Sequence, residues 1–229
     1  MKKILPMGLI LLILFTITGC GLSDYNDYYN EDNSNYYDSS TDDKKETKEL
    51  TESEKMIVKI MALTDEKLAF DTGEYIQGDI PAGEYAFIKF SGSGSYYSEE
   101  DAAGNIVDNE NFASFGYVKV HSVGNIKTRG VLISTSAFER LGVKSAKEIY
   151  EILNNQNNWN QSGYYKVGVD IDPGRYVVES IGRGYWAIMT GPVGSSDIVS
   201  NDNFNGKSSI NLLNGQYLEL NRATITKAE

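Results

Sequence analysis

Cysteine and histidine occur once each in this 229-residue chain, as Cys20 and His121. One thiol excludes an internal disulfide, and one histidine without a second soft ligand leaves no transition-metal cluster. It also leaves a single conceivable Ser-His-Asp set, built on His121 in the strand-like Tyr117-Val118-Lys119-Val120-His121, and no Gly-x-Ser-x-Gly elbow accompanies it. Gly206-Lys207-Ser208 imitates the end of a phosphate-binding loop, but Asn201 stands where the first glycine belongs. Basic residues are in the minority, 21 against 32 acidic. That balance excludes the phosphate-neutralising surface that nucleic acid requires, and docking on anionic lipid by charge alone. The chain reads as non-catalytic. Carboxylate pairs for glycoside hydrolysis leave no mark in so acidic a sequence, so a surface glycan hydrolase stands third among the functional readings.

What is present begins with Met1-Lys2-Lys3, an apolar run from Ile4 to Ile17, and then Thr18-Gly19-Cys20. A basic start, a greasy segment and small residues before a cut site make a secretory signal over residues 1–19. The apolar run is about 14 residues, short of the roughly 20 that a spanning helix needs. Ile17-Thr18-Gly19-Cys20 resembles the lipobox of bacterial lipoproteins. The resemblance implies that Cys20 receives a diacylglycerol, becomes the new N-terminus and holds the protein on the wall-facing side of the cell membrane, since two or three acyl chains anchor almost permanently. Loss of Lys2 and Lys3 leaves 19 basic and 32 acidic residues, a net charge near −13.

Residues 20–50 follow as a lipidated cysteine and an acidic tether rich in Asp, Asn, Ser and Tyr, with too few aliphatic residues to offset chain ordering. Residues 51–72 carry a short helix: Thr51-Glu52-Ser53-Glu54 fits a capping box, and Ile57, Ile60, Met61 and Leu68 fall at near-helical spacing. Then the chain repeats itself. Tyr75-Ile76-Gln77-Gly78-Asp79-Ile80-Pro81-Ala82-Gly83-Glu84-Tyr85 returns as Tyr165-Lys166-Val167-Gly168-Val169-Asp170-Ile171-Asp172-Pro173-Gly174-Arg175-Tyr176. Ile106-Val107-Asp108-Asn109-Glu110-Asn111-Phe112 returns as Ile198-Val199-Ser200-Asn201-Asp202-Asn203-Phe204. Gly92, Gly94, Tyr96 and Tyr97 match Gly182, Gly184, Tyr185 and Trp186 in the same order. Such self-similarity marks a duplicated structural unit.

Each copy alternates short apolar runs with Gly, Pro, Asn and Asp clusters, the pattern of a small all-β unit. The expected architecture is mainly β with short helices: a β module at 73–135, a helical connector at 136–162 and a second β module at 163–229, each a small sandwich or barrel-like unit. Glu84–Phe90 and Arg175–Ile181 read as strands buried on both faces, and Gln216–Leu220 as a one-face strand. In the connector, Ser136 and Ser145 both open capping boxes, with helices over Phe138–Leu141 and Ala146–Leu153 and a hinge at Asn154–Gln161. The Gly-Asp-Ile-Pro-Ala-Gly-Glu-Tyr phrase resembles a repeat of secreted proteins and lipoproteins of Gram-positive bacteria, over residues 74–134 and 164–226. That family has no assigned activity, so the resemblance implies β modules and a surface location only. The second copy departs from it, with Asp172-Pro173 where the first has Pro81-Ala82.

Three sets of residues are candidates for chemistry. Asp79 and Asp170 sit before a Pro/Gly turn and can accept the backbone N–H groups that fix it. Asp108, Asn109, Glu110 and Asn111, with Asn201, Asp202 and Asn203, offer the oxygens a Ca²⁺ ion takes, and equally the groups that close Asx turns. Tyr96, Tyr97, Tyr185 and Trp186 can present flat faces to sugar rings, or fill the core; adjacent strand residues point to opposite sides, so only one of each pair can do either. The sequence thus points to a membrane-anchored surface protein with tandem β modules, a non-catalytic binding or adaptor protein for an envelope glycan or protein. The alternative is an architectural spacer without a ligand.

Overall fold

Glu52–Asp65 forms the first helix of a computed structural model that describes residues 49–229; the signal, Cys20 and nearly all of the tether lie outside the described residues. This helix, α1, starts where the sequence says. Thr51 Oγ1 accepts from the Glu54 amide at 3.2 Å, and the Glu54 carboxylate takes the Thr51 N–H at 2.7 Å, a reciprocal capping box. Its buried stripe is Ser53, Met56, Ile60 and Leu63, rotated from the expected one, with Met56 inside where Ile57 and Met61 are half-covered. No described helix is long and apolar enough to cross a membrane.

The rest is mainly antiparallel β. In the first copy β1 (Ala69–Phe70), β8 (Val131–Ser134), β3 (Gly83–Ile88) and β6 (Phe115–Val120) form one four-stranded sheet in that order. A second sheet has the order β2 (Gly73–Tyr75), β7 (Ile126–Thr128), β4 (Tyr96–Glu100) and β5 (Ile106–Asn111). The second copy makes one five-stranded sheet: β11 (Ile198–Phe204), β10 (Gly174–Met189), β13 (Tyr217–Lys227) and β9 (Gly163–Lys166), with β12 (Lys207–Leu212) on β10. The expected mainly β architecture with short helices is what the structure shows, and no sheet among the described residues closes into a barrel.

The pairings of the two copies nevertheless correspond. β10 does the work of β3 and β4 in sequence, and β13 that of β7 and β8. Tyr85 pairs Val118 and Ser134 as Tyr176 pairs Ile210 and Lys227. Tyr97 pairs Glu110 and Thr128 as Trp186 pairs Asp202 and Leu220. β10 changes partners through a bulge between Ser180 and Tyr185, and β13 bends at Arg222, a non-glycine residue held at φ 47°. The first copy breaks its strands at the same levels. A Cβ on Gly130 would meet Phe87 Cζ at 2.4 Å, so only glycine fits that corner.

Burial reports two further differences from expectation. Arg175–Ile181 is not covered on both faces: Tyr176 and Val178 are buried while Arg175 and Glu179 face solvent. In Gln216–Leu220 the reverse holds, because Tyr217 is buried on the face opposite Leu218 and Leu220, where it meets Tyr117 edge-on at 5.7 Å. The unforeseen cover comes from the other copy. One continuous core runs through both, with Phe115 against Tyr165 at 5.0 Å and Phe112 against Tyr164 at 6.0 Å. A parallel bridge stitches β6 to the 190–197 loop, the Lys119 N–H donating to the Val193 carbonyl at 2.7 Å and Val193 N–H to Tyr117 O at 3.1 Å.

Between the copies lie α2 (Phe138–Leu141) and α3 (Ala146–Leu153), bounded where Gly142 turns left-handed at φ 77°. Ser145 caps α3 by accepting from the Glu148 amide, while the Glu148 carboxylate reaches the Lys144 N–H instead of closing the box. The Ser136 box does not form: Ser136 Oγ bonds Ser134 Oγ and Ala137 caps α2 without a side-chain bond.

Candidate functional site

The repeat phrase is built around tyrosine. Gly73-Glu74-Tyr75, Gly83-Glu84-Tyr85, Gly163-Tyr164-Tyr165 and Gly174-Arg175-Tyr176 each begin a strand. In every one the tyrosine hydroxyl donates to the carbonyl four residues earlier: Asp71, Pro81, Gln161 and Asp172. The glycine two residues before leaves room for the ring, since a Cβ on Gly73 or Gly83 would touch Tyr75 or Tyr85 at 3.3–3.4 Å. The phrase is thus a strand-start lock, two per copy.

The aspartates of the phrase then diverge. Asp79 is exposed and takes only the Ile76 N–H at 3.2 Å. Asp170 is half-buried, and its carboxylate accepts from Tyr117 Oη at 2.7 Å, Lys166 N at 2.8 Å and Lys147 N at 2.9 Å. Those donors belong to the first copy, the second copy and α3. Burial pushes the Asp170 carboxyl above the ordinary range, against the pull of these donors.

Asp170 lies at the foot of an open groove of about 360 Å³. Of its apolar lining residues, Trp159, Val169 and Ile171 are at least partly exposed, whereas Tyr165, Tyr176 and Ile225 are buried. The polar lining residues are Lys147, Asn158, Asn160, Asp170 and Asp172. Trp159 is held firmly. Its amide donates to Glu151, its indole N–H to Ser162 O at 3.3 Å, and its ring meets Tyr150 edge-on at 4.9 Å. Two of its charged residues are paired, Lys147 with Glu151 at 2.7 Å and Asp172 with Lys227 at 3.2 Å, and Asp170 has no ion-pair partner among the described residues. The side chains of Asn158 and Asn160 are exposed and have no hydrogen-bond partner among the described residues. The sequence read this segment as a hinge; the only local signal was a lone tryptophan within a run of asparagines.

The aromatic pairs obey the alternation rule. Tyr97 and Trp186 are buried and Tyr96 and Tyr185 half-covered. Tyr97 Oη and Trp186 Nε1 occupy equivalent positions and neither has a hydrogen-bond partner among the described residues. Tyr185 Oη accepts from Asn201 Nδ2 at 3.2 Å. None of the four lines the groove.

The Asn/Asp blocks form edge strands rather than loops. Adjacent side chains therefore point to opposite faces, so Asp108, Asn109, Glu110 and Asn111 of β5 do not converge on one ion, nor do Asn201, Asp202 and Asn203 of β11. Among the described residues, no group of three or more His, Cys, Asp or Glu is placed to hold a metal ion. Asp108 and Glu110 instead turn toward the seam between copies. Asp108 Oδ2 accepts from the Gly194 amide at 2.6 Å, and Glu110 lies close enough to Glu219 for like charge, added to burial, to push Glu219 up to about 7. Glu219 also accepts from Asn221 Nδ2 at 2.6 Å. His121, alone in the chain, bonds Glu99 through Nδ1 at 3.0 Å and through its backbone N–H at 2.9 Å. These residues form a half-buried polar seam around buried Glu99 and do not line the groove.

No known family model and no curated protein matches this chain.

Proposed function

We propose that the protein is a lipoprotein, anchored by acylated Cys20 on the outer face of the cell membrane, whose folded part is a non-catalytic binding protein for a component of the cell envelope. The single observation that supports binding over a spacer role is the groove beside Asp170, a concavity with one partly exposed tryptophan, Trp159, held from three sides, and two exposed carboxamides without a hydrogen-bond partner among the described residues. The lipobox residues support the address, and the acidic tether of residues 20–50 supplies the reach.

The test is proximity labelling on live cells. Wild type, a Cys20→Ser form that cannot be acylated, and an Asn158→Gly/Asn160→Ala form with a bare groove rim are compared, each fed an alkynyl fatty acid. Wild type and the groove variant should incorporate the fatty acid and Cys20→Ser should not. The groove variant should lose neighbours that wild type labels. Unlabelled wild type would overturn the anchor, and an unchanged neighbour set in the groove variant would overturn the binding role.

A further inference from the structure

We infer that β11 is a self-association edge: two copies of this chain pair β11 with β11, antiparallel across a two-fold axis at Asn201, and so join their five-stranded sheets into one. The inference goes beyond the envelope-binding role, since no residue of β11 lines the groove. β11 is bonded to β10 on one side and forms the margin of its sheet, with six of its seven residues exposed. The register it shares with β5 turns the amides of Asn201 and Asn203 away from β10. No side chain among the described residues takes them. Ile198 and Val199 stand exposed on the same strand. An extended edge in this state is a template for another strand.

Charge names the occupant. When a strand pairs with its own image about its middle residue, each side chain faces the one equally far beyond the axis. For β5 that centre is Asn109, and Asp108 would face Glu110 of the second copy on both sides of the axis. Like charges directly opposite destabilise a strand pair. β5 is closed in a second way, because Asp108 takes the Asn109 amide at 2.8 Å and Glu110 the Asn111 amide at 2.7 Å. β11 carries Ser200 at the position of Asp108. The same operation about Asn201 sets the Ser200 hydroxyl opposite the Asp202 carboxylate, a donor facing an acceptor, and Ile198 opposite Phe204. Asp202 is the only charged residue of β11, so no like pair stands directly opposite. The exchange of Asp108 for Ser200 therefore removes one captor and makes the edge self-complementary. About six backbone hydrogen bonds join the two strands, a contact of the small, transient class. Residues 20–48 reach at most about 100 Å when fully extended. Anchoring at Cys20, as proposed above, holds neighbouring copies in a layer of that depth, where a weak pair gains effective concentration.

The experiment uses the mature chain with Cys20→Ser, so it does not depend on the anchor. Sedimentation equilibrium should show half dimer near about 100 μM. Ser200→Asp gives β11 the opposed carboxylates and the captor that β5 has. It should weaken the dimer at least about tenfold with an unchanged melting temperature, because position 200 is exposed. The register is read with a single thiol. Residues that face each other on the axis have Cα atoms about 5.5 Å apart, within disulfide reach. Diamide serves as oxidant and takes up the two electrons and two protons that a pair of thiols releases. Cys20→Ser/Asn201→Cys should then form a covalent dimer. Cys20→Ser/Asn203→Cys should not, since its image lies about 14 Å away, and neither should Cys20→Ser/Asn109→Cys on β5. A chain still monomeric at about 1 mM overturns the inference. So does a dimer that Ser200→Asp leaves intact, or cross-linking at 109 or 203 as strong as at 201.

Discussion

The two copies share one strand plan, but only the second carries a junction. Asp79 and Asp170 stand at the same place in the phrase, yet Asp79 holds one amide of its own turn while Asp170 holds Tyr117, Lys147 and Lys166 from three parts of the molecule. The strands differ in the same sense. The first copy breaks into two sheets, whereas β10 and β13 run unbroken through the second. Duplication has produced one half that is a plain β unit and one that organises the whole. The difference lies in the surroundings, because the phrase itself has hardly changed.

The sharpest way to break this comparison is to remove both aspartates in turn. Asp170→Ala strands a buried hydroxyl and two amides, each worth roughly 1–3 kcal/mol when left unpaired, so urea unfolding should show a loss of about 3 kcal/mol or more. Asp79→Ala removes one exposed bond and should cost less than about 1 kcal/mol. Equal losses would refute the division of labour.

The seam gives the next largest effect, and it depends on pH. Glu219 of the second copy titrates at about 7 in the folded state against an ordinary 4.5, owing to burial and then to Glu110 of the first copy. A raised carboxyl means the folded chain keeps a proton that the unfolded chain has released. Its contribution is therefore complete below pH 4.5, declines as pH climbs toward 7 and stays reduced above. The decline is on the order of 2–3 kcal/mol. Glu219→Gln should match wild type at pH 4 and exceed it by that order at pH 8, measured by denaturant unfolding; a constant difference at both pH values would remove the seam from the account.

The smallest effects separate kinds of tyrosine. Tyr85→Phe and Tyr176→Phe each delete a lock to a turn carbonyl and should cost about 1 kcal/mol in both copies alike. Tyr97→Phe deletes a buried hydroxyl with no partner among the described residues and should be neutral or stabilising in thermal unfolding. A clear loss at Tyr97 would show that its hydroxyl is satisfied after all.

Sequence reasoning reached what is decided locally. The Thr51 box, the glycine at 142, the helices on either side of it and the turn role of Asp79 and Asp170 all rest on neighbours within four residues. The duplication was visible because both copies still spend their glycines, aspartates and tyrosines on the same strand-start locks. What escaped depends on distant chain. Tyr217 reads as solvent-facing until Tyr117 covers it, and β5 and β11 read as loops because Asn and Asp are scarce in strands except at edges. The groove escaped most completely: its walls come from α3, the connector, β9, β10 and β13, and nothing but a lone tryptophan marks the place in one dimension.

One consequence follows from the edges themselves. Phe112 N–H pairs with Ser95 O, so the alternation of the ladder turns the amides of Asn109 and Asn111 outward, and there the carboxylates of Asp108 and Glu110 capture them. β5 has saturated its own rim. β11, six of whose seven residues are exposed, shows no such capture among the described residues. A foreign polypeptide zipping backbone to backbone onto β11 would find donors that no side chain captures among the described residues, whereas along β5 the amides of Asn109 and Asn111 are already taken.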